Sequence, residues 1–298
     1  VSRWEIGDIT VHRIDEIALP AATGPWLLPE ATPQVVARHP WLRPDFAGPD
    51  GGLRLAVHSF ALEIGGLRVL VDTGIGNGKT RANPAWHQLD TPYLERLTAA
   101  GFAPSDVDLV ILTHLHADHV GWNTRPAADG SWQPTFTNAR YLTARTEHAY
   151  WAGAELEESR RQMLDDSVRP VHEQGLLDLV DVAPEGTEIA PGLTLLPTPG
   201  HTPGQVAVVL SSGGRSAVIT GDCVHHPVQL AEPAVGSCVD IDPAQAARTR
   251  ARLLEQLADT DTLLLGSHFP RPTGGLVRRS GDAFRLVPQP GTGSGTQH

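Results

Sequence analysis

The sequence predicts a mixed α/β chain, α+β in arrangement, with two β-sheets packed together and clad in helices. Three observations predict it. Segments of strand character fall into two batches, within residues 4–143 and 176–265, with helical patterns between and after them. The connections are long enough to cover both outer faces. The 298 residues can bury a large core, and 40% hydrophobic and 19% charged content describes an ordinary globular protein. Residues 1–290 therefore read as a single domain with insertions, not as two domains.

Taken in order, residues 4–19 alternate in part (Trp4, Ile6, Ile9, Val11, Ile14) around Gly7-Asp8 and predict an opening hairpin. Residues 20–52 are rich in Pro and Gly and carry Trp26, Trp41 and Phe46. So long a stretch reads as an N-terminal arm or lid, or as cover for a core edge. Strands are predicted at 53–64 and 67–71, joined at Gly65-Gly66, and the second ends in Asp72-Thr73-Gly74-Ile75-Gly76-Asn77-Gly78. Those glycines lack the dinucleotide-binding spacing. A helix over 92–100 starts from Thr91 as N-cap with Pro92 in its first turn. A strand at 108–112 follows, then a loop at 122–138 and a strand at 139–143.

Residues 146–166 read as a helix with a charged, solvated face (Glu155, Glu157, Glu158, Arg160, Arg161), part of a helical insertion spanning about 146–175. Strands are predicted at 176–182 and 193–196, then a hairpin of 206–210 and 216–220 about Gly213-Gly214. A well-marked helix starts at Asp242 as N-cap with Pro243 at its first position, and carries Leu253, Leu254 and Leu257 on one face. A short buried strand at 262–265 follows. Residues 291–298, rich in Gly, Ser and Thr, predict a disordered tail.

Composition excludes some functions. A formal net charge of −11 argues against a nucleic-acid partner. No apolar run approaches the roughly 20 residues needed to cross a bilayer, and the charged first 20 residues are no secretory signal. Cys223 and Cys238 make no disulfide framework and read as two buried or partly buried thiols, in keeping with a cytoplasmic location.

The chemistry concentrates in Thr113-His114-Leu115-His116-Ala117-Asp118-His119-Val120-Gly121. A strand ending at Leu112 delivers His114 and His116 to one side, because alternate residues share a face. Asp118 and His119 come from the turn. Imidazole nitrogen with carboxylate oxygen suits Zn²⁺ or a similar borderline divalent ion. Three later strand ends offer further ligands: His201 within Thr198-Pro199-Gly200-His201-Thr202-Pro203-Gly204, Asp222 after Thr220-Gly221, and His268 after Gly266-Ser267.

The series H-x-H-x-D-H, P-G-H-T-P-G, G-D and a late S-H, with the Asp72-Thr73-Gly74 turn, resembles the metallo-β-lactamase-fold superfamily over roughly residues 53–270. The resemblance implies a four-layer αββα sandwich with a dinuclear site at one edge. It implies that His114, His116 and His201 hold one metal, that Asp118, His119 and His268 hold a second, and that Asp222 bridges them. It implies two Zn²⁺ per chain, a shared hydroxide as nucleophile, and Asp118 as proton carrier. The iron-redox branch is disfavoured, because His116 stands where that branch has Glu. At the third residue after the bridging Asp, lactonases of this superfamily commonly have Tyr. This chain has His225, the second catalytic candidate beside Asp118, followed by His226.

The run Ser267-His268-Phe269-Pro270 and then Gly281–Pro288 resembles the branch holding methyl parathion hydrolase and quorum-quenching lactonases. The implied activity is hydrolysis of lactones or carboxylic esters with an apolar substituent. The expected partner is a small neutral substrate, with Trp26, Trp41, Trp86, Trp122 and Trp132 as candidate pocket walls. A phosphotriesterase is the alternative, and a metal-stabilised binding protein without turnover is the reading from another class. A β-lactamase lacks its usual second-metal Cys here, and a nuclease is disfavoured by the acidic balance. A homodimer would fit the N-terminal arm.

Overall fold

Alternation along the central strands decides the layering. The computed structural model describes residues 2–289, 291 and 292. One sheet runs in the order β1 (Arg3–Ile6), β2 (Ile9–Ala18), β3 (Ala56–Ile64), β4 (Leu67–Val71), β5 (Leu109–Ile111), β8 (Arg140–Ala144) and β9 (Leu177–Val180). Between β5 and β8 a separate two-stranded ribbon forms from β6 (Thr124–Pro126) and β7 (Trp132–Pro134). The other sheet follows chain order: β10 (Thr187–Ala190), β11 (Leu193–Pro197), β12 (Val206–Ser212), β13 (Arg215–Ile219), β14 (Leu263–Leu265), β15 (Gly274–Ser280) and β16 (Ala283–Pro288).

Val69, Val71, Leu109 and Ile111 face Val206, Val208, Ala217, Ile219, Leu263 and Leu265 across the two sheets. The intervening Leu70 and Val110 turn outward to Tyr93 and Leu97 of α3 (Tyr93–Ala99). On the other side Ala207, Val218 and Leu264 meet Leu253, Leu254 and Leu257 of the long C-terminal helix Pro243–Leu257. Three apolar layers separate four structural ones, which is the αββα sandwich. Burial contributes about 1.5–3 kcal/mol for each such side chain, so strands with both faces buried carry most of the stability.

Several elements differ from their sequence reading, each for a local reason. Thr91 does not cap α3; its N–H donates to Asn77 Oδ1 at 2.9 Å, and Pro92 stands before the first turn. The stretch 122–138 is not all loop, since β6 and β7 pair across Ala127–Ser131. The single helix expected over 146–166 is two, α4 (Arg145–Gly153) and α5 (Glu158–Ser167), with α6 (Arg169–Glu173) behind them. The break follows Gly153, a weak helix former, and puts Glu158 in the first turn of α5, where the helix dipole favours an acid. Strands β10, β15 and β16 carried too little alternation to be recognised. Cys238 is exposed, not buried.

Residues 20–52 carry α1 (Thr23–Leu27), α2 (Pro33–Ala37) and a 3-10 turn at Pro40–Leu42. Leu28, Val36, Leu42 and Phe46 are buried in the outer layer of the second sheet, whereas Trp26 is 55% exposed. Trp41 packs edge-on against Phe46. Of the expected tail, Thr292 pairs with Arg3 of β1, and residues 293–298 lie outside the described residues. Among the described residues no helix is long and apolar enough to cross a membrane. The remaining helix, α7 (Val228–Ala231), precedes α8 (Pro243–Leu257), whose N-cap Asp242 accepts from Gln245 N–H as the sequence predicts.

The N-terminal segment is pinned by His226, which bonds the Phe46 carbonyl through Nε2 at 2.9 Å and accepts from Val228 N–H through Nδ1 at 3.0 Å. Those bonds need the neutral ring, and burial pushes its pKa down to about 4, against a smaller opposite effect of the Phe46 carbonyl. An unfolded histidine titrates near 6.5, so the unfolded chain binds this proton first as the pH falls. His226 should therefore contribute stability above pH 6.5 that is lost between 6.5 and 4, up to about 3 kcal/mol. Denaturant unfolding of metal-free protein across that window should show a shallower pH slope in His226→Gln than in the parent; equal slopes would contradict it.

Candidate metal centre

The parallel strands end at a common edge, and their ends deliver the polar groups. β4 and β5 are parallel, as are β5 with β8 and β13 with β14. Just past their last residues come Asp72, His114, Glu147, Asp222 and His268. His201 follows β11 in a loop whose glycines are required by close approach. A side chain at Gly200 (φ +135°) would collide with the backbone of Ala246 at the start of α8, and one at Gly204 with Glu147 of α4. This is the physical content of the P-G-H-T-P-G motif.

Two groups result. His114, His116, His201 and Asp222 each offer an atom within 4.8 Å of all the others, and Asp118, His119 and His268 do the same. In the first group His116 Nδ1 lies 3.1 Å from His114 Nε2 and 2.9 Å from His201 Nε2. Asp222 Oδ2 lies 3.3 Å from His201 Nε2 and 3.6 Å from His114 Nε2. In the second, His119 Nε2 and His268 Nε2 are 3.2 Å apart. Asp222 Oδ1 sits 3.3 and 3.1 Å from them, and Asp118 completes the group at 3.6–3.9 Å. Asp222 thus presents one oxygen to each group.

Ligand atoms around a tetrahedral ion with bonds of about 2.0–2.1 Å lie roughly 3.3 Å apart, close to these separations. Facing ring nitrogens cannot all donate to one another, and the buried Asp222 Oδ1 has no hydrogen-bond partner among the described residues. The donor set therefore fits bound metal better than a closed network of hydrogen bonds. Burial, reinforced by neighbouring imidazoles, holds His114 and His116 well below their usual pKa, so both are free of the proton that a metal must displace. For Asp222, burial alone would raise the pKa, but His268, His119, His225 and His114 outweigh it and hold the carboxyl ionised.

The sequence reading did not find the groups that hold these rings. His119 Nδ1 is 2.8 Å from Asp72 Oδ2, and Asp72 also accepts from Thr113 N–H and Thr113 Oγ1. These bonds hold Asp72 at φ +58°, a left-handed conformation that Asp adopts more readily than most residues. His201 Nδ1 is 2.8 Å from Asp240 Oδ1, and His268 Nδ1 bonds the Ala56 carbonyl at 3.0 Å. Such outer partners fix tautomer and ring angle.

Glu147 accepts from Leu115 N–H and Trp151 Nε1 at one oxygen and from Thr202 Oγ1 and Gly204 N–H at the other, tying the His114–His119 loop to the His201 loop. The Asp72-Thr73-Gly74 turn gave a signal for Asp72. Asp240 and Glu147 sit in stretches with no motif.

His225 comes to the site, with Nε2 3.2 Å from Asp222 Oδ2 and its ring stacked at 5.9 Å on His268. Neither of its nitrogens has a hydrogen-bond partner among the described residues. His226 points away, into the Phe46 contact. The expected tryptophan pocket is largely elsewhere: Trp122 is buried, stacked on Tyr93 and bonded to Glu16, and Trp132 lies beneath Lys79. Trp151, which the sequence reading passed over, is the one whose ring meets His116, at 5.5 Å.

Residues 52–268 match the Metallo-beta-lactamase superfamily. A probable metallo-hydrolase of Mycobacterium tuberculosis is 27% identical over 252 residues, covering 74% of this chain and 76% of that protein. The N-acyl homoserine lactonase AiiA of Bacillus thuringiensis subsp. kurstaki is 26% identical over 180 residues, covering 56% and 63%. Among solved structures, AidC, a dizinc quorum-quenching lactonase, superposes with a TM-score of 0.76 over 96% of each chain at 22% identity. The hydrolase AbOPH gives the same TM-score over 97% of each at 23%.

Removing Asp240 should loosen the His201 ring without touching the other ligands. Asp240→Ala should weaken zinc binding by about 10–100-fold, read by competition with a chromophoric chelator; an unchanged affinity would contradict the role given to Asp240. Glu147→Ala orphans four donors at once and should cost at least about 3 kcal/mol of stability in denaturant unfolding; a change under about 1 kcal/mol would show that the two loops hold themselves.

Proposed function

Since the chain belongs to the Metallo-beta-lactamase superfamily, we propose that it is a metal-dependent hydrolase that opens lactones or cleaves small carboxylic esters. The observation that carries this reading is the Asp222 carboxylate divided between two histidine groups. On this reading His114, His116 and His201 hold one zinc ion, Asp118, His119 and His268 hold a second, and Asp222 spans them. Bound there, such a pair supplies an ionised water at neutral pH and the positive charge that polarises an ester carbonyl.

The chain's own residues do the rest. Asp118, the part-exposed member of the second group, receives the proton that the attacking water gives up and passes it to the departing alkoxide oxygen. His225, whose Nε2 stands beside Asp222 Oδ2 with no aligned hydrogen bond among the described residues, donates a hydrogen bond to the carbonyl oxygen as negative charge grows there. Asp72 and Asp240 hold His119 and His201 in one tautomer, and Glu147 keeps the two ligand loops in register. The lactonase relatives support an ester carbonyl as the target, and the hydrolase neighbours support the fold that presents it.

The test is an assay panel of a medium-chain acyl homoserine lactone, 4-nitrophenyl butyrate and an aryl phosphotriester, run beside elemental analysis. The lactone or the carboxylic ester should be hydrolysed best, chelation should abolish turnover, and added Zn²⁺ should restore it. Asp222→Ala should lose metal and activity together. Preference for the phosphotriester would overturn the substrate class. No turnover of any of the three at full metal loading would make this a binding protein.

A further inference from the structure

The face of α5 read as solvated is not uniform. Glu157, Glu158 and Arg161 are exposed, and Arg161 is tied to Glu158 and to the Leu156 carbonyl. Arg160 is half-buried and lies over the ring of Trp151, with Cζ 5.2 Å from its centroid. Trp151 is itself locked by its Nε1–H to Glu147 at 2.7 Å, and its ring meets the His116 ring in a T-shaped contact at 5.5 Å. The guanidinium therefore stands one aromatic ring away from the metal centre. Among the described residues it has no carboxylate or carbonyl partner, although four acids, Glu155, Glu157, Glu158 and Asp165, lie within five positions along the chain.

We propose that Arg160 determines specificity at this site by taking the anionic substituent of a carboxylate-bearing ester or lactone whose scissile carbonyl sits between the two histidine groups. The inference rests on the hydrolase reading above and narrows its substrate class. It also revises the uncharged substrate expected from the sequence, since three of the tryptophans behind that expectation pack in the core or under Lys79.

Chemistry favours this role over packing alone. A guanidinium over a locked indole with no acid or carbonyl partner among the described residues has its N–H fork free for a carboxylate. Stacking on Trp151 would satisfy the ring face but leaves those donors unused. In a chain of net charge −11, an unpaired cation within about one Debye length of the reacting carbonyl is a local attractor for anions.

The test compares two 4-nitrophenyl esters of similar size on the zinc-loaded protein: the neutral butyrate and the anionic half-ester of glutarate. The parent should favour the half-ester, and Arg160→Met, which keeps the stem over Trp151 but not the charge, should lower the ratio of kcat/KM values (half-ester over butyrate) by about tenfold, the effect of one charge-assisted hydrogen bond. Arg160→Lys should recover part of it. Calorimetric titration with glutarate against butyrate reads the same preference without turnover, so it separates a failure of this inference from a failure of the hydrolase reading. A ratio and a glutarate preference both unchanged in Arg160→Met would overturn the proposal.

Discussion

One carboxylate, that of Asp222, lies within 3.6 Å of ring nitrogens from five histidines: His114, His119, His201, His225 and His268. All six side chains are nearly or fully buried. Left to itself such a cluster opposes folding, because an unsatisfied buried polar atom costs about 1–3 kcal/mol and an unpaired buried charge far more. The three apolar layers offset that cost, and a bound cation pair would remove it. The rest of the architecture follows from this constraint, since parallel strands in two packed sheets can bring ligands from distant parts of the chain to one edge.

Rigidity around the cluster comes from a few buried hydrogen bonds. Gly121 N–H bonds the Gly74 carbonyl and Thr73 N–H the His119 carbonyl, which zips the Asp72 turn onto the first ligand loop. Glu147 joins that loop to the second. Arg250, wholly buried in α8, bonds the Cys223 carbonyl after Asp222 and the Val235 carbonyl before Asp240. Each of the ligand loops is thus tied to a second element, so the separations at the centre are set by the scaffold and not by the loops alone.

Much of this was legible in the sequence where a residue type is physically obligatory. The glycines of the His201 loop, the Asp242 N-cap, and the strands whose residues alternate between two apolar layers all gave signals. The seven candidate ligands lie in two adjoining clusters, His114, His116, His201 and Asp222 in one and Asp118, His119 and His268 in the other. What was not legible depends on tertiary distance. Asp240 meets His201 across 39 residues and Glu147 meets Thr202 across 55, and no local pattern marks either. Arg160 read as one more surface charge because only the fold shows Trp151 beneath it. The weak strands β10, β15 and β16 exist because neighbours pair with them, not because of their own periodicity.

The account stands on a carboxylate shared by two cations, and crystals of zinc-loaded protein measured on both sides of the zinc absorption edge test it most directly. Two anomalous peaks about 3.5–4 Å apart, one against each oxygen of Asp222 and each facing its own histidines, are the expected result. A single peak, or two peaks of which neither touches Asp222, would contradict it.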